Sequence, residues 1–270
     1  MTDTSGMTAA QREAEWQKIS RHIEQLIQRV GDPGGFPVPP GSMLAHDDEK
    51  TAPRQISHAF HSCVTAGIDH LHALKTLVRD AGIIHTMAPF SLARGALENL
   101  SIAFWLLHPA QRAERLEHLL RWHAQNINDS HTALEGRGLP NSDKTPKLAK
   151  LQSATKTILP RTDFRVIKNG HTSTEAVNYA NQFAPTAGNV LFAWRLCSGY
   201  AHGRAWAILG ASDYVEDPTD DPTVVGLWLS ANDNAVLWVT HASSRLAADA
   251  INLYNERSTA RRSTETNRRE

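Results

Sequence analysis

Pro89-Phe90-Ser91-Leu92-Ala93-Arg94-Gly95-Ala96-Leu97-Glu98-Asn99-Leu100-Ser101-Ile102-Ala103-Phe104-Trp105-Leu106-Leu107 is the stretch on which the fold turns. It is apolar nearly all round, and a helix with no broad polar face belongs in the middle of a bundle, covered on every side. Thr86 stands ahead of it as a cap, and Pro89 falls in its first turn, where a missing N–H does no harm. Arg94 and Glu98 break the pattern four residues apart, on one face. Charges on a buried helix need a partner, so another polar group is expected across from them.

The flanking sequence supplies helices to cover this one. From Thr8 to Val30, Trp16, Ile19, Ile23, Leu26, Ile27 and Val30 recur at spacings of three and four, and Thr8 with Gln11 reads as a capping box. Residues 31–53 form a long Pro/Gly-rich loop, with Pro33, Pro37, Pro39, Pro40 and Pro53 among Gly31, Gly34, Gly35 and Gly41. A second helix runs from Pro53 to Ala81, with Ile56, Phe60, Val64, Ile68, Leu71, Leu74 and Val78 on one stripe. Beyond Pro109 a charged amphipathic helix covers about Ala110–Glu135, followed by a loop at 136–146. Shorter helices follow at Lys147–Ile158 and Glu175–Phe183, and another runs from about Thr186 to Gly203. Val224–Leu229 is β-like, with Ile208 or Tyr214 in a partner strand, and a last helix runs from Asn232 to Arg257. The fold expected is all-α, a bundle of about six to eight helices with at most one small β-hairpin near the C-terminal end. It forms a single helical domain over 8–257, with flexible tails at 1–7 and 258–270; the latter carries Arg261, Arg262, Arg268 and Arg269.

Composition excludes several classes of function. Lysine plus arginine equals aspartate plus glutamate, 28 of each in 270 residues, which argues against a protein that coats nucleic acid by bulk charge. Cys63 and Cys197 form no CxxC pair, so neither a zinc ribbon nor a redox motif is expected. The polar start and the short longest apolar run, Ile102–Leu107, point to a cytoplasmic protein with no signal peptide and no membrane span. Of the 14 histidines, the pairs His58/His61, His70/His72 and His118/His123 lie near one another, but only the first has clean same-face helical spacing. No HExxH occurs, so no metal and no cofactor is expected.

The chemistry concentrates in Trp194-Arg195-Leu196-Cys197-Ser198-Gly199-Tyr200-Ala201-His202-Gly203. Arg195 and His202 are seven residues apart, almost two helical turns, so both face one way with Ser198 between them. A guanidinium grips phosphate with its planar fork, and an imidazole moves protons near neutral pH. Arg195-x6-His202 resembles the Arg-x(4–6)-His motif of the HEPN superfamily. The preceding Arg94-x3-Glu98 helix and the Ser198-x3-His202-Gly203 helix resemble the pattern of uncharacterised bacterial HEPN-like proteins. Leu196 stands where that superfamily commonly has a polar residue after the arginine.

The resemblance implies a metal-independent endoribonuclease, a toxin or phage-defence effector. Arg195 and His202 would be catalytic, and Arg94, Glu98, Ser198 and Tyr200 supporting. It further implies RNA as partner, a homodimer that joins two motifs in one cleft, and an antitoxin or regulatory protein. Two alternatives stand beside it. One is a non-catalytic HEPN-like protein that binds a ligand or partner. The other is a polar cluster of Arg94, Glu98, Arg195 and His202 that only orients two helices.

Overall fold

The structure, a computed structural model, describes residues 6–137 and 143–260. Expectations for residues 1–5, for the middle of the 136–146 loop and for the arginines beyond 260 lie outside the described residues. Those described are mostly helical: α1 Ala9–Gly31, α2 Met43–Thr51, α3 Ile56–Lys75, α4 Ala88–Leu107, α5 Arg112–Leu134, α6 Thr145–Ile158, α7 Phe164–Lys168, α8 Ser173–Phe183, α9 Val190–Ala201, α10 Ala205–Ala211 and α11 Asp233–Ser258. A π-helical turn, Thr76–Asp80, extends α3, and β1 Ser212–Pro218 pairs antiparallel with β2 Val225–Ala231. No helix among the described residues is long and apolar enough to cross a membrane.

Eleven helices among the described residues exceed the six to eight expected, and the surplus is short. α2, α7 and α10 have 9, 5 and 7 residues, too few turns for a hydrophobic period to stand out. α2 also corrects the 31–53 loop. The glycines and most of the prolines of that stretch lie at 31–41; the helix starts just beyond them, where Ser42 accepts a hydrogen bond from the Ala45 N–H at 3.1 Å.

Packing divides the chain into two compact units. The first holds the described residues up to Gly35 together with Ser62–Trp105 and Thr172–Ala250. α1 enters it with the capping box that Thr8 and Gln11 predict, and buries Trp16, Ile19, Ile23 and Leu26. α4 is its covered centre: Phe90, Ala93, Ala96, Leu97, Leu100 and Ala103 are all inaccessible to solvent. Of its charged pair, Arg94 and Glu98 keep 29% and 23% of their side-chain surface.

The second unit comprises Phe36–His61, Leu106–His171 and the chain from Ile251. Leu116, Leu120 and Ala124 of α5 pack with Leu151, Ile158 and Ile167. Phe36, Phe60 and Tyr254 form an aromatic trio with centroids 4.8–6.0 Å apart, and the Tyr254 hydroxyl donates to the Phe36 carbonyl at 2.9 Å. The last carbonyl of α4 and the three that follow it are answered by two arginines. Arg257 donates to Leu107 and His108, and Arg115 donates to Pro109 and Ala110.

His123 of α5 gives this unit an acid sensitivity. Burial, with Arg54 as a lesser cause, lowers its pKa from the ordinary 6.5 to about 4. Unfolding restores the ordinary value, so the stability that neutral His123 contributes is whole above pH 6.5. It is lost as pH falls toward 4. His123→Gln is expected to flatten the fall in Tm between pH 7 and pH 4, by the equivalent of about 2 kcal/mol. A wild-type-like slope in that variant would remove His123 as the cause.

Candidate functional site

The site is built on α9 and the residues that follow it. Asp249 of α11 fixes the approach to α9: its buried carboxylate accepts from the Thr186 N–H (3.0 Å), the Thr186 hydroxyl (2.8 Å) and the Ala187 N–H (3.0 Å). The Asn181 side chain then accepts from the Leu191 N–H in the first turn. The other end of α9 is closed by a Schellman motif. Gly203 takes φ +63°, its N–H donates to the Tyr200 carbonyl at 3.1 Å, and the Arg204 N–H donates to the Gly199 carbonyl at 2.8 Å. This reversal leaves His202 exposed as the C-cap, just past the last residue of α9, and starts α10 at once.

Arg195, Ser198 and His202 line one open cleft of about 490 Å³. Trp194 and Phe192 border it from α9, and Arg204 and Trp206 from the start of α10. Gly199 sets the position of Trp206: a Cβ there would sit 2.5 Å from the Ala207 Cβ and 3.0 Å from the Trp206 ring. Both Arg195 and Arg204 are exposed, and neither guanidinium has a hydrogen bond or ion pair among the described residues.

Arg94 and Glu98 stand behind this cleft. Glu98 Oε1 accepts from Arg94 Nε at 3.1 Å and from the Trp194 indole N–H at 2.8 Å, so it holds Arg94 rather than Arg195. Arg94 Nη1 lies 3.3 Å from His202 Nε2. A guanidinium only donates, so Nε2 must accept, and Nδ1 carries the ring hydrogen. Three of the four members of the expected cluster are thus joined, and Arg195 stands apart from it.

Tyr200 is placed elsewhere. Its ring stacks on Phe90 at 3.7 Å with a 4° interplanar angle, and its hydroxyl bonds to Ser212 Oγ at 2.8 Å. It is buried and does not line the cleft, so its support is to packing. Cys197 is fully buried, and burial raises its thiol pKa, which keeps it from acting as a nucleophile. Among the described residues no group of three His, Cys, Asp or Glu could hold a metal.

The sequence alone does not single out Arg204 or Phe192, and it offers Trp206 as a base-stacking ring only to set it aside as core. Tryptophans beside apolar neighbours read as core, which holds for Trp105 at 1% exposure but not for Trp206 at 55%. Searches found no family model, no curated protein and no solved structure that matches this chain. The chemistry of the cleft therefore rests on its own residues. Two unpaired guanidinium groups suit a phosphate, an imidazole lone pair suits a proton, and exposed aromatic rings suit an unstacked base.

Proposed function

We propose that this chain is a HEPN-like, metal-independent endoribonuclease. The observation that carries this reading is the open cleft that Arg195, Arg204 and His202 line together, where no carboxylate among the described residues pairs either arginine. RNA brings its own nucleophile. In the reaction proposed, Arg195 and Arg204 neutralise the scissile phosphate, which also draws Arg94 away from His202. The freed Nε2 lone pair takes the 2′-hydroxyl proton, and the 2′-oxygen attacks phosphorus. The bond to the 5′-oxygen breaks, leaving a 2′,3′-cyclic phosphate and a 5′-hydroxyl. A protonated His202 of the second copy, in the homodimer that the resemblance implies, supplies the proton for the departing oxygen.

A helix C-terminus favours imidazolium, so position alone suggests an acid or a phosphate clamp at His202. The Arg94 contact favours the opposite role, since it exists only with Nε2 unprotonated. The same contact also favours a second reading, in which the cleft holds an anionic ligand without cleaving it. RNA incubated in EDTA with wild type and Arg195→Ala separates the two. Cleavage by wild type, slowed about 10²-fold by Arg195→Ala, supports the nuclease. Binding that weakens in Arg195→Ala, with no cleavage by either protein, supports the second reading.

A further inference from the structure

A second open pocket, of about 360 Å³, lies within the second unit. Met43, His46 and Asp47 of α2 line one side, and Ala110, Arg112 and Arg115 at the start of α5 line the other. Its walls carry more positive charge than they answer. Asp47 is the one carboxylate among the lining residues, and Arg115 already donates to its Oδ2 at 2.7 Å. Arg112 Nε stands 3.0 Å from Oδ1, yet the buried Oδ1 accepts no hydrogen bond, so that contact is one of charge alone. Arg257 adds a third guanidinium: it donates to Met43 Sδ at 3.2 Å and shares the Pro109 carbonyl with Arg115. Burial, and then the charge of Arg115, lower the pKa of Arg257 from its ordinary value. Crowded cations shielded from water need a matching anion.

Donors stand ready for one. Arg112 Nη2 donates to the His46 carbonyl, and Arg115 Nη1 donates to the Pro109 and Ala110 carbonyls. The remaining terminal nitrogens, Arg112 Nη1 and Arg115 Nη2, meet no acceptor among the described residues. Arg115 is 2% exposed, so its half of the grip is fixed in the wall. α5 also starts without a side-chain cap, since Gln111 makes no hydrogen bond there, and the positive end of its dipole is left unanswered by a side chain.

Charge decides which anion fits. Three guanidinium groups against one carboxylate leave two positive charges. A phosphate monoester carries about −1.5 to −2 at pH 7, whereas a carboxylate or a phosphodiester carries a single charge. We infer that this pocket binds a small phosphate monoester, its oxygens held by Arg112 and Arg115 at the N-terminus of α5. Met43 and His46 border the group that the phosphate carries. The inference rests neither on RNA cleavage nor on the cleft of the first unit.

Calorimetric titration of the full chain with inorganic phosphate, at constant ionic strength, tests it. Arg195→Ala/Arg204→Ala is the background, because it removes the cleft's own claim on phosphate. In that protein phosphate is expected to bind with a Kd of roughly millimolar or below. Dimethyl phosphate and acetate, with one charge each, are expected to bind at least about tenfold more weakly, and adding Arg112→Gln should weaken phosphate by a similar factor. Arg112 is exposed and Asp47 keeps Arg115, so this variant is expected to fold. Hydrogen exchange of wild type needs no substitution: phosphate should slow the amides of 42–47 and 112–116. No binding at roughly 10 mM phosphate, dimethyl phosphate binding as tightly, an affinity unmoved by Arg112→Gln, or protection confined to 186–207 would each overturn the inference.

Discussion

Arg115→Ala is expected to destabilise the chain by about 3–5 kcal/mol, the largest effect of any single substitution considered. The side chain is 2% exposed, and all its hydrogen bonds are internal. Its Nε donates to Asp47 Oδ2 at 2.7 Å, and its Nη1 donates to the Pro109 and Ala110 carbonyls at 3.0 Å each. Alanine takes this donor from the buried Pro109 carbonyl and the Ala110 carbonyl, and leaves the Asp47 carboxylate, itself 1% exposed, with only Arg112 at 3.0 Å. An unanswered buried charge loses more than the pair gains, which is why truncating one member is so costly. Arg115→Lys keeps the charge but cannot reproduce the fork, so an intermediate loss is expected. Asp47→Ala combined with Arg115→Ala should cost less than the sum of the two. Urea unfolding measures all four proteins, and a loss under about 1 kcal/mol for Arg115→Ala would show that water or neighbouring side chains replace the guanidinium.

The second large effect is on activity. His202→Ala is expected to lower kcat/KM for RNA cleavage by roughly 10²–10⁴, the range for removing a general base. Because His202 is exposed at the end of α9, its loss should leave Tm near wild type, which separates chemistry from folding. Added imidazole should restore part of the rate to His202→Ala, and a merely structural role would not respond to it. Arg94→Met removes the donor that occupies Nε2 before substrate binds, and since that contact must break for catalysis it is expected to cost far less than His202→Ala, about tenfold or under. Cleavage by His202→Ala within twofold of wild type would end the proposed role.

Much of this arrangement was legible in the sequence. The all-round apolar run at 89–107 marks α4, and the lone Arg94–Glu98 pair marks the face that meets another polar group. That pair turns out to bind Trp194 and His202. The i, i+3, i+7 stripe of Arg195, Ser198 and His202 follows from helix geometry alone, and so does the position of Tyr200. Five residues from Arg195 is about 140° round a helix, away from the stripe. The β-like run at 224–229 and Tyr214 appear in register as Leu229 opposite Tyr214, while Ile208 belongs to α10.

What the sequence hid depends on short elements and long separations. Trp206 and Arg204 reach the cleft because Gly203 reverses the chain into a seven-residue helix whose length carries no periodic signal. Arg115 reads as an ordinary charge on an amphipathic helix, and its carboxylate partner lies 68 residues away. The neutral tautomer of His202 depends on a guanidinium 108 residues distant, which no local pattern reports.

The most direct test of the central claim is the chemistry of the ends left on a labelled single-stranded RNA after incubation with wild-type protein in EDTA. Cleavage by the RNA's own 2′-hydroxyl, started at His202, predicts 2′,3′-cyclic phosphate and 5′-hydroxyl ends with chelator present. Intact RNA, or 5′-phosphate ends that vanish in EDTA, would contradict it.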